Sequence, residues 1–313
     1  MPTDRPDKSS RRAGSTSAFV LAIDFGGSKT AVATLDLRGR ILASEILLFD
    51  ATAESERILN DALDVGVRLI EMTEGGPCAA VGIATPGIPT PEGVLLSPNL
   101  PGWHGLRLAE RVENVLGIGP VPVDNDVKCA ALAEHRWGAL RHADPALYLN
   151  LGSGVGAASV VGERILHGAH GGAGEIGYAA SRIPESDAGS PTLEDVVGGK
   201  RMAQRASRLV GRQLTTSQVF DAVDAQLSQV VEEGLTTLAA HLRTLVLAFD
   251  PARVALGGGM MGHADRVLNV LRDRLRVPEP LGAEVVAGKF LYDAALRGAA
   301  ALALDAIRGG SVG

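Results

Sequence analysis

Asp124, Asn125 and Asp126 stand together in the stretch VPVDNDVKCAALAE, between a short apolar run and a segment with helical character. Two carboxylates and an amide lose free energy on burial unless hydrogen bonds, a metal or a substrate satisfy them. One reading is an acidic turn that caps the next helix. The other is a catalytic edge at which one carboxylate accepts a proton.

Three glycine-rich stretches offer a second kind of chemistry: DFGGSKT at 24–30, LGSGVG at 151–156 and LGGGM at 256–260. A phosphate group needs backbone N–H donors converging at close range, which glycine permits because it lacks a Cβ and tolerates positive φ. The candidate phosphate contacts are Gly26, Gly27 and Ser28, then Gly152, Ser153 and Gly154, then Gly257, Gly258 and Gly259. Asp24 is suited to hold magnesium, directly or through water, and Lys29 supplies a counter-charge. None of the three is a P-loop, and none has the spacing of a dinucleotide fingerprint.

The elements around these residues follow from hydrophobic periodicity. FVLAIDFGGSKTAVATLDLRGRILASEILLF reads as a three-stranded antiparallel meander, followed by a helix over 55–71 and a strand within PCAAVGIATPG. A helix at 105–117 precedes the short strand VPVDND, and another follows at 127–139, so the acidic triplet lies at a strand's C-terminal end. Ligands of α/β proteins gather at that edge. The order then restarts in LYLNLGSGVGAASVVGERIL at 147–166, which implies two related halves. A polar loop at 180–192 leads to a long apolar stripe over 226–249, a strand ending in GGG, a helix at 263–275, the strand EVVAG and a terminal helix at 293–307.

Composition narrows the function. A net charge of −6 disfavours a nucleic-acid partner, and no apolar run approaches the length of a membrane helix. Cys78 and Cys129 form neither a zinc spacing nor a secreted disulfide framework, which points to the reducing cytoplasm. Residues 1–17 are polar and expected to be a disordered tail. His167 and His170 lack the neighbours of a zinc shell and read as surface or hydrogen-bonded side chains, while Trp103 reads as a packing residue.

The ordered motifs DFGGSKT, GIATPG, NLPGW, VDNDVKCAALAE, LNLGSGVG, HGGAGEIGY and LGGGM resemble those of the ROK family of sugar kinases, repressors and related proteins. The resemblance spans residue 20 to about 310. It implies an α/β protein with the two-domain actin-like ATPase (ribonuclease H-like) fold and an active site in the interdomain cleft. Residues 18–125 plus 293–313 would form the first domain and 126–292 the second. ATP and Mg2+ are the implied cofactors, and a homodimer or homotetramer the expected assembly.

Carried over by the resemblance, Asp126 is the catalytic base, and Asn99, Asn125, Glu175 and Glu194 contact the sugar. Relatives carry GEIGH followed by a cluster of zinc-binding cysteines; here Tyr178 replaces the histidine, as a further sugar contact, and no cysteine follows Cys129. No zinc site of that type is expected, and the loop from Ser181 to Thr192 must be held by other means. The implied activity is ATP-dependent phosphorylation of a free hexose, glucose to glucose 6-phosphate. The alternatives are an N-acetylated or amino hexose as acceptor, or a sugar-binding regulatory protein without catalysis. The short polar stretch before the first strand is not expected to house the DNA-binding domain of the repressors.

Overall fold

The glycine turn at 26–28 folds strand β1 (Phe19–Phe25) back antiparallel onto β2 (Lys29–Asp36), which pairs with β3 (Ile41–Leu48). Helix α1 (Ser55–Met72) crosses to β4 (Cys78–Thr85), parallel to β1. A small hairpin of β5 (Ile88–Thr90) and β6 (Gly93–Leu95) and helix α2 (Leu108–Leu116) precede β7 (Val123–Asn125). The sheet order is β3-β2-β1-β4-β7. The structure is a computed structural model that describes residues 18–50, 53–97, 100, 102–182 and 190–309. The expected tail at 1–17 and Asn99 lie outside the described residues.

Helix α3 (Asp126–Trp137) leaves β7 without a loop, and the pattern repeats. β8 (Ala146–Leu151), β9 (Val155–Val161) and β10 (Arg164–Ile165) form the second meander. Helices α4 (Leu193–Val197), α5 (Gly199–Val210), α6 (Thr216–Phe220) and α7 (Ala225–Phe249) lead to β11 (Arg253–Gly257), α8 (Ala264–Arg274) and β12 (Glu284–Ala287). The order β10-β9-β8-β11-β12 matches that of the first sheet, with three antiparallel strands and two parallel additions. The echo in the sequence is therefore a duplicated architecture, and the chain is bilobal with a cleft between the sheets. Among the described residues no helix is long and apolar enough to cross a membrane.

Packing explains why the terminal helix α9 (Ala294–Gly309) lies against the first sheet and α3. A Cβ added at Gly82 of β4 would fall 1.8 Å from the Ala299 carbonyl oxygen, and one at Gly298 would fall 1.8 Å from that of Cys129. Both glycines thus allow backbone to meet backbone. On its other side α3 packs through Ala130, Ala131 and Ala133 near Tyr148, Ala158 and Val160 of the second sheet. The helix that begins at Asp126 is therefore wedged between the halves.

Each half has its own apolar core. Leu21, Ile23, Leu59, Leu63 and Ile83 fill the first. In the second, Leu227, Val231, Leu235, Leu238 and Leu242 recur at helical spacing along α7 and pack into the core beneath the sheet. Burying each such side chain contributes about 1.5–3 kcal/mol. Trp103 belongs to the first core, fully buried with its ring centroid 4.9 Å from that of Phe25. Hydrophobic periodicity does not mark α4 and α6, because they span only five residues each.

Candidate active site

The acidic triplet divides its tasks. Asn125 caps α3, its side-chain oxygen accepting from the Val127 and Lys128 N–H groups at 2.9 and 3.2 Å, while its Nδ2 donates to the Gly87 carbonyl at 2.9 Å. One amide hydrogen remains for a ligand. Asp124 is buried, accepts from the Asn125 N–H at 2.7 Å and faces His167 Nε2 at 2.7 Å. Asp126 accepts from the Val127 N–H at 2.9 Å and lines the cleft. The cap is thus Asn125, and Asp126 is left for other chemistry.

Asp24, at the end of β1, lines the same hollow of about 110 Å3 with Tyr148, Asn150, Gly258 and Tyr292. Burial, followed by the charge of Asp126, pushes the Asp24 carboxyl up to about 7, with Lys29 opposing the rise. Burial also pushes Asp126 up to about 6; the Val127 N–H and Lys128 pull it down, and Glu175 adds to the rise. Two half-buried carboxylates on one hollow are a favourable seat for a cation. Among the described residues no group of three or more His, Cys, Asp or Glu side chains converges as a metal shell. A magnesium ion fits such a place, because it keeps water and phosphate oxygens among its ligands.

Of the three glycine turns the third lines this hollow, through Gly258, while the first and second follow two residues after its lining residues Asp24 and Asn150. Gly27, Ser28 and Lys29 are exposed, and the Gly26 N–H closes the first turn on the Lys29 carbonyl at 2.9 Å. In the second turn the Gly152 N–H donates to the Gly154 carbonyl at 3.1 Å, and the Lys200 N–H to the Ser153 carbonyl at 3.2 Å. Gly258 has φ +87°, and a Cβ there would stand 2.6 Å from the Leu151 carbonyl. A Cβ at Gly257 would meet the Tyr148 hydroxyl at 1.9 Å, whereas Gly259 faces open space.

Glu175 and Glu194 come together from distant segments. Burial raises the Glu175 carboxyl; Lys128 opposes that rise and Glu194 adds to it. Glu194 accepts from the Val155 N–H at 3.3 Å and crowds Gly154, where a Cβ would lie 2.3 Å away. Tyr178 is exposed, its hydroxyl raised by burial and by the charges of Glu175 and Glu194. The following loop is closed at its neck: Ser181 donates through N and Oγ to the Pro191 carbonyl at 2.9 and 2.7 Å, and the Leu193 N–H donates to the Ala179 carbonyl at 2.7 Å.

Three residues beside these were missed from sequence. Lys128 is buried at 1% exposure, with Nζ donating to the Gly171 carbonyl at 2.8 Å. Tyr148 and Asn150 both line the cleft because they are two apart on β8, a signal that strand alternation carries.

This fold and this arrangement of carboxylates and glycine turns define a two-lobed protein of actin-like architecture. The chain belongs to the ROK family, whose profile matches residues 20–306. It is 30% identical over 299 residues to the bifunctional enzyme NanE/NanK of Brucella melitensis, covering 93% of this chain and 55% of that protein. The chain thus spans about half the length of that relative. The ROK hexokinase from Thermus thermophilus is similar at 28% identity and TM-score 0.78, over 93% of this chain and 100% of the other. A ROK glucokinase from Streptomyces griseus, solved with glucose and AMPPNP, is similar at 26% identity and TM-score 0.78, over 92% and 100% of the two chains.

Proposed function

We propose that the chain transfers the terminal phosphoryl group of ATP to a hydroxyl of a hexose. The observation that carries this is Asp126: a cleft carboxylate at the start of α3, relieved of capping by Asn125, sharing its hollow with Asp24 and with Gly258 of the third glycine turn. Its pKa, raised to about 6, suits a base that receives the hydroxyl proton as the oxygen attacks phosphorus. The turns at 26–28, 152–154 and 257–259 hold the nucleotide, and Asn125, Glu175, Glu194 and Tyr178 face the sugar, together with Asn99 from its motif. Magnesium, held by Asp24 directly or through water, supplies neutralisation of phosphate charge. Positioning and exclusion of water between the lobes supply the rest of the rate.

The acceptor we favour is an N-acetylated or amino hexose. Tyr178 in place of the histidine of GEIGH alters the contacts at the sugar side, where its exposed ring carries a hydroxyl within the electrostatic reach of Glu175 and Glu194. Identity favours neither acceptor, because NanE/NanK and a glucokinase of Halalkalibacterium halodurans are each 30% identical to the chain, against 26% for the Streptomyces glucokinase. Glucose phosphorylated at its 6-hydroxyl is the competing reading, supported by the likeness to that glucokinase.

A coupled ADP-release screen over glucose, mannose, fructose, amino hexoses and N-acetylhexosamines tests both levels. The highest kcat/KM is expected with an N-acetylated or amino hexose. A kcat/KM for glucose about tenfold above all of these overturns the choice of acceptor. Sugar binding without ADP release from any hexose overturns the kinase reading and leaves a regulatory sugar-binding protein.

A further inference from the structure

The foot of α3 carries a hollow of about 480 Å3 that the site described above does not include. Trp137, at its edge, ends α3; at 1.5 Å per residue it stands about 16 Å along the helix from Asp126. Five cations line the hollow: Arg38 and Arg40 from the β2–β3 turn, Arg141 after α3, Lys289 after β12 and Arg297 of α9. Among the described residues none that lines it is acidic.

Some of these charges are already neutralised. Arg40 pairs with Asp36 at 2.6 Å and Arg297 with Asp293 at 2.7 Å, while Lys289 Nζ donates to the Trp137 carbonyl at 2.9 Å. Arg38 and Arg141 are exposed, and among the described residues neither guanidinium has an ion pair or hydrogen bond. Lys289 and Arg297 are steadied over the Phe290 ring, 5.2 and 4.7 Å from its centroid. Arg297 also donates to the Gly39 carbonyl at 2.9 Å, fixing the turn that carries Arg38. The nearby Glu134 carboxylate is buried and turned to the backbone N–H groups of Ala139 and Phe290, at 2.6 and 2.7 Å. A concave lining of three fixed cations and two unpaired ones, with no carboxylate among the described lining residues, favours a multiply charged anion, and guanidinium matches phosphate oxygens in pairs.

We propose that this hollow is a second binding site for a small phosphate-bearing anion, distinct from the cleft, and that its occupancy bears on the cleft. The connection is covalent and short. Lys289 and Phe290 line the hollow, and the chain continues through Leu291, Tyr292, Ala294 and Ala295, which line the cleft beside Asp24 and Asp126. The lining also joins both halves, with Arg38 and Arg40 next to the first sheet and Lys289 next to the second. An anion that bridges them restrains the movement of one half against the other. Binding is independent of the kinase reading; only the effect on activity rests on it.

The two tryptophans make the site readable, since Trp103 is fully buried and Trp137 borders the hollow. Tryptophan emission is titrated with inorganic tripolyphosphate and with glucose 6-phosphate, at constant ionic strength and without nucleotide. The comparison protein is R38A/R141A, two exposed side chains whose removal should leave the melting temperature unchanged. Saturable binding by at least one probe is expected, with Kd raised about tenfold or more in the double variant and AMPPNP affinity altered less than about twofold. Tighter binding of tripolyphosphate assigns the site to chain phosphates; tighter binding of glucose 6-phosphate assigns it to sugar phosphates. Equal Kd in the two proteins, or no saturable change with either probe, overturns the proposal. In the kinase assay the bound probe should change kcat or KM of the parent protein only; an equal change in both proteins overturns the coupling while the titration stands.

Discussion

His167 Nε2 lies 2.7 Å from Oδ2 of the buried Asp124, which in turn accepts the backbone N–H of Asn125. The loop after β10 is thereby fastened to the strand end that presents Asp126. The Asp124 hydrogen bond raises the His167 imidazole above its usual value, against the effect of burial. A histidine whose folded pKa exceeds the unfolded one stabilises the protein fully below about 6.5, and this contribution fades as pH rises through the folded pKa. The imidazole is half exposed, so solvent screening keeps the effect small. H167Q should therefore lower the melting temperature at about pH 5.5 more than at about pH 8.5. A drop of equal size at both pH values would show that the pair contributes no proton linkage.

For Asp126 the capping and catalytic readings now separate cleanly, since Asn125 supplies the cap. D126N should reduce kcat by about 10²–10⁴-fold, the usual cost of losing a general base, with hexose and nucleotide affinities nearly unchanged and, because the lost carboxyl has a raised pKa, a melting temperature at about pH 8 no lower than the parent's. The parent kcat/KM should fall toward acid with an apparent pKa of about 6 in the free protein, because protonated Asp126 cannot accept the hydroxyl proton. Retention of half the parent kcat by the variant would remove Asp126 from the chemistry.

Asp24 predicts a trade of activity against stability. Its carboxyl is raised from 3.8 to about 7, so the folded protein holds its proton where the unfolded chain has lost it. The group consequently destabilises the fold increasingly as pH rises from about 4, and relief comes on acidification. D24N should raise the melting temperature at about pH 8 and flatten its pH dependence between about 5 and 8, while abolishing magnesium-dependent turnover. A lower melting temperature for the variant at that alkaline pH would mean that the Asp24 carboxylate is stabilised by contacts beyond burial and charge.

The sequence made the strand-end chemistry legible because local patterns encode it. Gly26 and Gly27, Gly152 and Gly154, and Gly257 to Gly259 mark turns between alternating apolar runs, and the two meanders repeat in the same order. The division of labour within Asp124-Asn125-Asp126 lies beyond those patterns. Which side chain caps depends on backbone geometry at one residue, and Asp124 finds its partner in His167, 43 positions away. The same applies to Trp103, whose packing on Phe25 brings together residues far apart in sequence. Strand periodicity marks Tyr148 and Asn150 as sharing a face, but not which face borders the cleft.

Lys128 gives the most demanding prediction, because a lysine within a helix ordinarily reaches solvent and this one is buried at 1% exposure. Its side-chain hydrogen bond, to the Gly171 carbonyl at 2.8 Å, ties α3 to the segment that runs on to Glu175. Its charge also lowers the proton affinity of both Asp126 and Glu175. Replacing it by methionine keeps most of the volume while deleting the cation and the donor. K128M should then hold its protons to higher pH at both carboxyls, moving the acid limb of the kcat/KM profile upward. Loss of the Gly171 contact should separately raise KM for the hexose, since the Glu175 segment is no longer fastened. A purely structural lysine predicts a lower melting temperature with an unshifted pH profile in the folded fraction. Measuring the profile at a temperature where K128M remains folded decides between them, and an acid limb superimposable on the parent's would exclude Lys128 from the electrostatics of the base.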